Sequence, residues 1–594
     1  MSRPIFNRRP IYSYSVTDGS SWSAWPSIAE RLLQAVEEKR NTGAVVVAVD
    51  CYHGVHEAEV IAELTGRLRP SATVRTSAAF KDQDAIRALV APDLTDDPVF
   101  GRLTDLDLAD YLDPDRLQSV RSRLDEVTGG TVLVVGPGAS LIVQPDILVY
   151  ADMARWEIQQ RMRRFEISNL GVHNADEDAS AKYKWGYFVD WRVLDRHKRG
   201  LFQEWDFLLD TNSARAPRLV TGPAYRRALA EISQRPFMLV PFFDPGPWGG
   251  HWMEEVCDLD RSAPNYAWCF NCVPEENSLL IRFGDVTIES PAINLVFLHP
   301  EDLLGREVHR RFGAEFPIRF DFLDTMGGGN LSLQVHPTSE YIREQFRVPY
   351  TQDESYYFMD AAPGARVFLG LKDGADVHRM RRELESAQKG DGAFDADEFA
   401  ASFPIGKHDH VSIPAGTLHC SGRNSVVLEI SATPYIFTFK LWDWGRLGLD
   451  EKPRPIHVER GMTVLASDRT ESWVRQNLLP RVELVAHGDG WREERTGLHD
   501  LEFIETRRHW FKTAVRHNTG GTVNVLTLIE GQEATVESPD HAFDPFVVHY
   551  AETFVVPAVV GSYIIRPSGP TRSAECATIK AFVRDAAVDS LAPD

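Results

Sequence analysis

Two histidines and a glutamate, His336, Glu354 and His419, stand in stretches that read as strands, and Gln334 lies two residues before the first. In LSLQVHPTSEYI (331–342) apolar and polar side chains alternate, so Gln334 and His336 share one face of an extended segment. Glu354 opens the strand pattern ESYYFMD, and His419 closes IPAGTLHC, where Pro414 and Gly416 turn the chain ahead of the imidazole. Two imidazoles and a carboxylate, with an amide as an optional fourth ligand, suit a Zn²⁺ that keeps one position open for water or substrate. With 19 histidines and 86 acidic residues such pairings also arise by chance, and the alternative is a hydrogen-bonded strand pair that holds no ion.

These residues need β-structure to position them, and the chain supplies it unevenly. The first third reads as α/β. GAVVVAVD (43–50), GGTVLVVGPGASL (129–141) and DILVYADM (146–153) are apolar runs of the kind found in buried parallel strands. VHEAEVIAELTGRL and the basic ARWEIQQRMRR (154–164) have helical spacing, and residues 170–235 read as helical without a strand pattern. From about 236 short strands, Gly and Pro dominate, interrupted by a helical insertion at about 375–403. Short strands continue to the end of the chain. Three domains are expected: 1–235, 236–455 and 456–594.

The 594 residues carry 64 basic and 86 acidic side chains, a net charge of −22 that argues against nucleic acid or an anionic membrane as partner. No window reaches roughly 18 uninterrupted apolar residues, so no membrane span is expected. The basic start MSRPIFNRRPIYSYS lacks the apolar core of a secretory leader, and the six cysteines are too few for a disulfide framework. Cys269 and Cys272 form a CxxC without a second pair, which reads as two buried thiols rather than a zinc knuckle. A cytoplasmic location is expected.

WGG (248–250), FPIRFDFLD (316–324), LSLQVHP (331–337), DESYYFMDAAPGARVFLGLK (353–372), IPAGTLH (413–419), LWDWGR (441–446) and IHVERGMTVL (456–465) follow one another in an order that resembles the type I phosphomannose (mannose-6-phosphate) isomerases, zinc enzymes of the cupin superfamily. The resemblance covers about 236–594. It implies an all-β cupin domain with a helical insertion, then a second, cupin-like β domain. It also implies one Zn²⁺ per chain on His336, Glu354 and His419, with Gln334 as fourth ligand in some branches. The implied reaction is an aldose–ketose isomerisation of a hexose or hexose phosphate through an enediol. Glu429, in VVLEIS, falls at a position where the family has a candidate acid–base group.

Two departures bear on the substrate. Gln352, in TQDESYY, stands where the family has a phosphate-binding Lys, and an amide brings no charge. Lys440, in FKLWDW, stands where an Arg points into the site; it keeps the charge without the bidentate fork, and burial can lower its pKa enough to make it a proton carrier. Asp321 also replaces a frequent Lys. Ser332, Lys372, Arg423 and Arg446 are candidates for substitute contacts to the sugar.

The N-terminal third resembles a uridine-kinase-like P-loop domain whose phosphate loop has degenerated. The expected loop reads VAVDCYHGVHEAEV (47–60), with a single Gly, no Lys, and Glu57 and Glu59 where phosphate would sit. Arg161, Arg163 and Arg164 read as a solvated basic helix face. The leading expectation is therefore a zinc-dependent sugar-phosphate isomerase with a degenerate kinase-like domain and a small sugar as its partner. The alternatives are a metal-bearing sugar-binding or regulatory protein without isomerase activity, and a bifunctional enzyme that also transfers phosphate. Assembly as a homo-oligomer is left open.

Overall fold

The computed structural model describes residues 6–15, 19–40, 43–432, 437–448, 451, 454–497, 502–572 and 574–584. The first five residues of the basic start lie outside them. The chain divides into two compact units: Ile11–Ile232 with Pro274–His299, and Met1–Pro10 with Ser233–Val273 and Pro300–Asp594. The boundary expected at 235 is thus crossed by the hairpin Ser278–Phe283/Val286–Pro291, whose first strand pairs in parallel with Ile11–Tyr14. The segments expected to divide at 455 fall in one unit.

In the N-terminal unit a seven-stranded sheet runs in the order Ser21–Ser23, Arg218–Thr221, Phe207–Asp210, Ile147–Asp152, Val45–Cys51, Thr131–Gly136, Ala72–Arg75. The last five of these pair in parallel, and the first two join antiparallel at one edge. The central strands are β-branched runs buried on both faces, which is why their sequences do not alternate. Helix Trp25–Lys39 adds Ile28, Leu32 and Val36 to the core built on Val47, Val49, Leu133 and Val149. Residues 170–235 do contain strands. Phe207–Asp210 and Arg218–Thr221 escaped the pattern because four-residue strands are too short to show periodicity.

The second unit is mostly antiparallel β. One six-stranded sheet has the order His410–Ile413, Glu354–Ala361, Ser425–Ser431, Arg319–Asp324, Trp268–Cys272, Phe242–Asp244. A five-stranded sheet has the order Ala400–Pro404, Arg366–Leu371, His419–Ser421, Leu333–Val335, Phe439–Trp442. Further along, a six-stranded sheet (Glu483 to Val583) and a four-stranded sheet (Val515 to Pro567) bury Phe511, Leu526, Leu528, Val536, Phe554 and Ile565. The architecture is thus α/β in one unit and several mostly antiparallel sheets in the other.

Two sequence boundaries move. The insertion is helical over Val377–Gln388 and Ala396–Phe399, but Ala400–Pro404 is already the edge strand of the five-stranded sheet. In LSLQVHPTSEYI the strand covers only Leu333–Val335. Pro337 has no N–H to continue the ladder, and Thr338 caps helix Ser339–Phe346 by accepting from the Tyr341 amide at 3.3 Å.

Candidate metal centre

His336, Glu354 and His419 converge in the second unit. One ligand atom from each lies within 4.8 Å of the others, and all three residues are buried. The two sheets supply different donors. Glu354 begins a strand of the six-stranded sheet, His419 begins a strand of the five-stranded sheet, and His336 directly follows Val335 in the latter. Nε2 of His419 is 2.8 Å from one carboxylate oxygen of Glu354, and Nε2 of His336 is 3.2 Å from the other.

The opposite ring nitrogens determine what these contacts mean. Nδ1 of His336 donates to the Phe437 carbonyl at 3.0 Å, and Nδ1 of His419 donates to the Thr417 carbonyl at 2.8 Å. A carbonyl only accepts, so each neutral ring carries its proton on Nδ1 and turns an Nε2 lone pair toward the carboxylate. Lone pairs and a carboxylate repel unless a cation lies among them. A metal ion resolves this, and backbone carbonyls holding the far nitrogen are the usual orienting shell of metal-bound histidine. A proton on the rings can take the same place: burial would raise the Glu354 pKa, but positive charge on the two histidines outweighs it and holds the carboxyl well below its ordinary range. Burial opposes charge on His336, yet Glu354 and the carbonyl contact raise its pKa. The donor set therefore fits a divalent cation.

Gln334 sits in register with His419 on one side and Lys440 on the other, so these three side chains share a sheet face. Its amide nitrogen is placed 3.2 Å from Nε2 of His419, and rotating the amide by 180° would present its oxygen there instead. Lys440 is half-buried. Burial, with Arg454 and Arg446 nearby, pushes its pKa down to about 8 against the pull of Asp443.

Glu429 lies in register with Asp321 and with Tyr356 on the six-stranded sheet. It accepts from Ser431 at 3.0 Å and lies 3.9 Å from Arg319. Burial, reinforced by Asp321 and Glu354, raises its pKa well above that of an ordinary carboxyl. Asp321 is raised too, chiefly by burial, with Arg319 opposing. Surroundings thus favour the charged form of Glu354 and the neutral form of Glu429, a separation of the kind that acid–base chemistry uses.

The remaining sequence candidates separate. Gln352 is buried, and its amide donates to Glu354 at 3.1 Å and to Glu429 at 3.2 Å. Ser332 donates to Asp443 at 2.8 Å, and Arg446 donates to the same carboxylate at 2.7 and 3.1 Å. Lys372 is exposed and its ammonium contacts the Asp397 carbonyl at the helical insertion, away from this cluster. Arg423 is exposed, with its amide on Asn330. Cys269 and Cys272 are buried thiols, as expected.

Asp443 and Arg454 were missed in the sequence. Arg454 donates to Asp443 at 2.7 Å and to Ser332 at 3.3 Å, so Ser332, Arg446 and Arg454 all meet on one carboxylate. The LWDWGR motif contained a signal for Asp443; nothing in the sequence marked Arg454.

The fold and site define a protein with one α/β unit and one mostly antiparallel β unit, the latter carrying a buried His₂Glu cluster able to ligate a metal. A family model described as "Domain of unknown function (DUF8485)" matches residues 24–234. The "Mannose-6-phosphate isomerase" of Streptococcus mutans is 27% identical over 195 residues, 32% of this chain and 58% of that protein. The "Probable mannose-6-phosphate isomerase GmuF" of Bacillus subtilis is 27% identical over 153 residues, 26% of this chain and 45% of that protein. This chain thus spans about half the length of these two relatives. Bacillus subtilis "Mannose-6-phosphate isomerase ManA" is 22% identical over 238 residues, 39% of this chain and 69% of that protein. Among solved structures, the Bacillus subtilis mannose 6-phosphate isomerase aligns at 17% identity and a TM-score of 0.48, covering 59% of this chain and 99% of that one. The chain bears a distant, partial resemblance to the mannose-6-phosphate isomerase superfamily.

Proposed function

We propose that this chain is a zinc-dependent aldose–ketose isomerase acting on a hexose phosphate. The observation that carries the reading is the convergence of two oriented Nε2 lone pairs on the Glu354 carboxylate. His336, His419 and Glu354 would hold the ion, with the Gln334 amide oxygen as a fourth donor. When bound, zinc would orient the sugar oxygens and stabilise the charge that develops on an enediol. Glu429, protonated by its surroundings, donates toward a sugar oxygen. Lys440, with a pKa of about 8, takes and returns the proton that moves between C1 and C2. Ser332, Arg446 and Arg454 around Asp443 form an anchor for the phosphate.

The names of the relatives in Streptococcus mutans and Bacillus subtilis support this reading. The test is interconversion of mannose 6-phosphate and fructose 6-phosphate by metal-loaded protein, run beside unphosphorylated mannose and fructose. Turnover of the phosphorylated pair is expected. Absence of turnover of both pairs would leave the second reading, a metal-bearing sugar-binding protein. What favours that second reading is Gln352, whose amide lies against Glu354 and Glu429 instead of providing a cation for substrate.

For the N-terminal unit we retain the degenerate kinase-like reading. It is supported by a parallel sheet with Val45–Cys51 at its centre, and the loop that follows lacks phosphate-binding residues, which is what makes the reading a degenerate one.

A further inference from the structure

A cavity of about 610 Å³ lies within the N-terminal unit, bounded by the chain that leaves Val45–Cys51, Ala72–Arg75 and Thr131–Gly136 at their carboxyl ends. The chain leaves Val45–Cys51 for the outer strand Ala72–Arg75, and leaves Thr131–Gly136 for Ile147–Asp152 on the opposite side. Connections that part in opposite directions open a crevice at the carboxyl edge, which is where open α/β sheets take their ligands. The volume suits one small molecule.

The wall is stiff. Tyr52 donates to Asp195 at 2.7 Å, and His53 is held between the Trp191 indole at 3.0 Å and the Ser168 carbonyl at 2.9 Å. Gly54 has a φ of +87°, and its carbonyl accepts from Arg161 at 2.8 Å. Arg161 is therefore buried and shapes this loop; it is not part of a solvated basic face.

The charges on the wall balance: Arg75, Lys81 and Arg116 against Glu57, Asp82 and Glu166. Four of them have work elsewhere. Lys81 donates to the Asp110 carbonyl, Arg116 to the Phe80 carbonyl, Asp82 caps the Ala85 amide, and Glu166 pairs with Arg164. The side chains of Glu57 and Arg75 make no hydrogen bond and no contact-distance ion pair among the described residues, and Arg75 lies near enough to act on the Glu57 charge. They are an acceptor and a donor on one cavity, and Glu57 stands at the start of helix Glu57–Leu68, where its charge repels a phosphate.

We propose that this cavity binds an uncharged, polyhydroxylated small molecule, with Glu57 accepting from its hydroxyls and Arg75 donating to them. Balanced charge disfavours an anion, and a carboxylate–guanidinium pair offers both halves of hydroxyl recognition. Phe80, Ile167 and Leu170 supply the apolar side of the wall.

The test is calorimetric titration of the full chain with D-mannose, D-fructose and D-ribose, and separately with mannose 6-phosphate and magnesium ATP. The His419→Ala protein serves as host, because its damaged metal cluster separates this site from the isomerase reading. At least one neutral sugar should bind, and Glu57→Gln and Arg75→Ala should each weaken it by about tenfold or more. Both variants change half-buried or exposed side chains, and an unaltered circular dichroism spectrum and melting temperature would show that they fold. No binding of the three sugars, binding indifferent to both substitutions, or tighter magnesium ATP binding that depends on Arg75 would each overturn the proposal.

Discussion

The amide of Gln352 donates to Oε2 of Glu354 at 3.1 Å, tying a candidate metal ligand to the residue two positions before it in the chain. The same nitrogen reaches Glu429 at 3.2 Å, so one side chain bridges two carboxyls whose pKa values are pushed in opposite directions. Gln352→Leu should remove both bonds and cost about 1–3 kcal/mol of stability, read as a lower denaturation midpoint. Gln352→Lys should lower the Glu429 pKa, because a cation favours the charged form of a carboxyl, and so, for a group that acts as proton donor, move the alkaline limb of the pH–rate profile to lower pH. An alkaline limb that does not move would separate Glu429 from catalysis.

Metal analysis checks the centre itself. Wild-type protein should carry about one zinc per chain, and His336→Ala or His419→Ala should lose most of it. Because the ligands bind in their deprotonated forms, acidification should release the ion in the range where imidazole protonates. Equal metal content in wild type and both variants would remove the centre.

Lys440 connects activity and stability to alkaline pH. Its native pKa of about 8 lies below the value of about 10.4 for an unfolded lysine. Between these values the unfolded chain binds the proton that the native state has released, so stability should rise with pH over that window. Lys440→Met should reduce that rise, as read by denaturant titration at pH 7 and pH 10, the remainder coming from buried Lys580, whose pKa is also pushed down to about 8. If Lys440 moves the substrate proton, the same variant should also lose the limb of the rate profile near pH 8.

The Asp443 clamp separates phosphorylated from neutral sugars. Arg454→Ala and Arg446→Ala should each raise KM for mannose 6-phosphate by about 10- to 100-fold, the size of a lost charge-assisted bond. Turnover of the neutral sugar should change less, through the rise in the Lys440 pKa that loss of a neighbouring guanidinium brings. Equal effects on both substrates would make the clamp a purely structural feature.

Much of this was legible in the sequence because the signals are local. The β-branched runs 45–51, 131–136 and 147–152 are strands since burial on both faces needs apolar side chains at every position. The ordered motifs marked His336, Glu354 and His419, and the three meet. What the sequence could not show was distance. Gln352 reads as a single position near the ligand Glu354, and only the fold brings it to the Glu429 side chain 77 residues away. Lys372 reads like a site lysine in GLK, and the chain places it on the surface beside the helical insertion.

The sequence by itself determined residue types and their periodicity: imidazoles and a carboxylate on strand patterns, an amide two residues before one histidine, and a glycine-poor loop after the first buried strand. Tertiary structure decided which nitrogen of each histidine faces the site. That choice rests on the carbonyls of Phe437 and Thr417, and no side chain encodes a backbone carbonyl's direction. It also decided that burial and neighbouring carboxyls raise the Glu429 pKa while two imidazoles lower that of Glu354. Two glutamates are chemically identical until one is buried beside Asp321 and the other between two imidazoles.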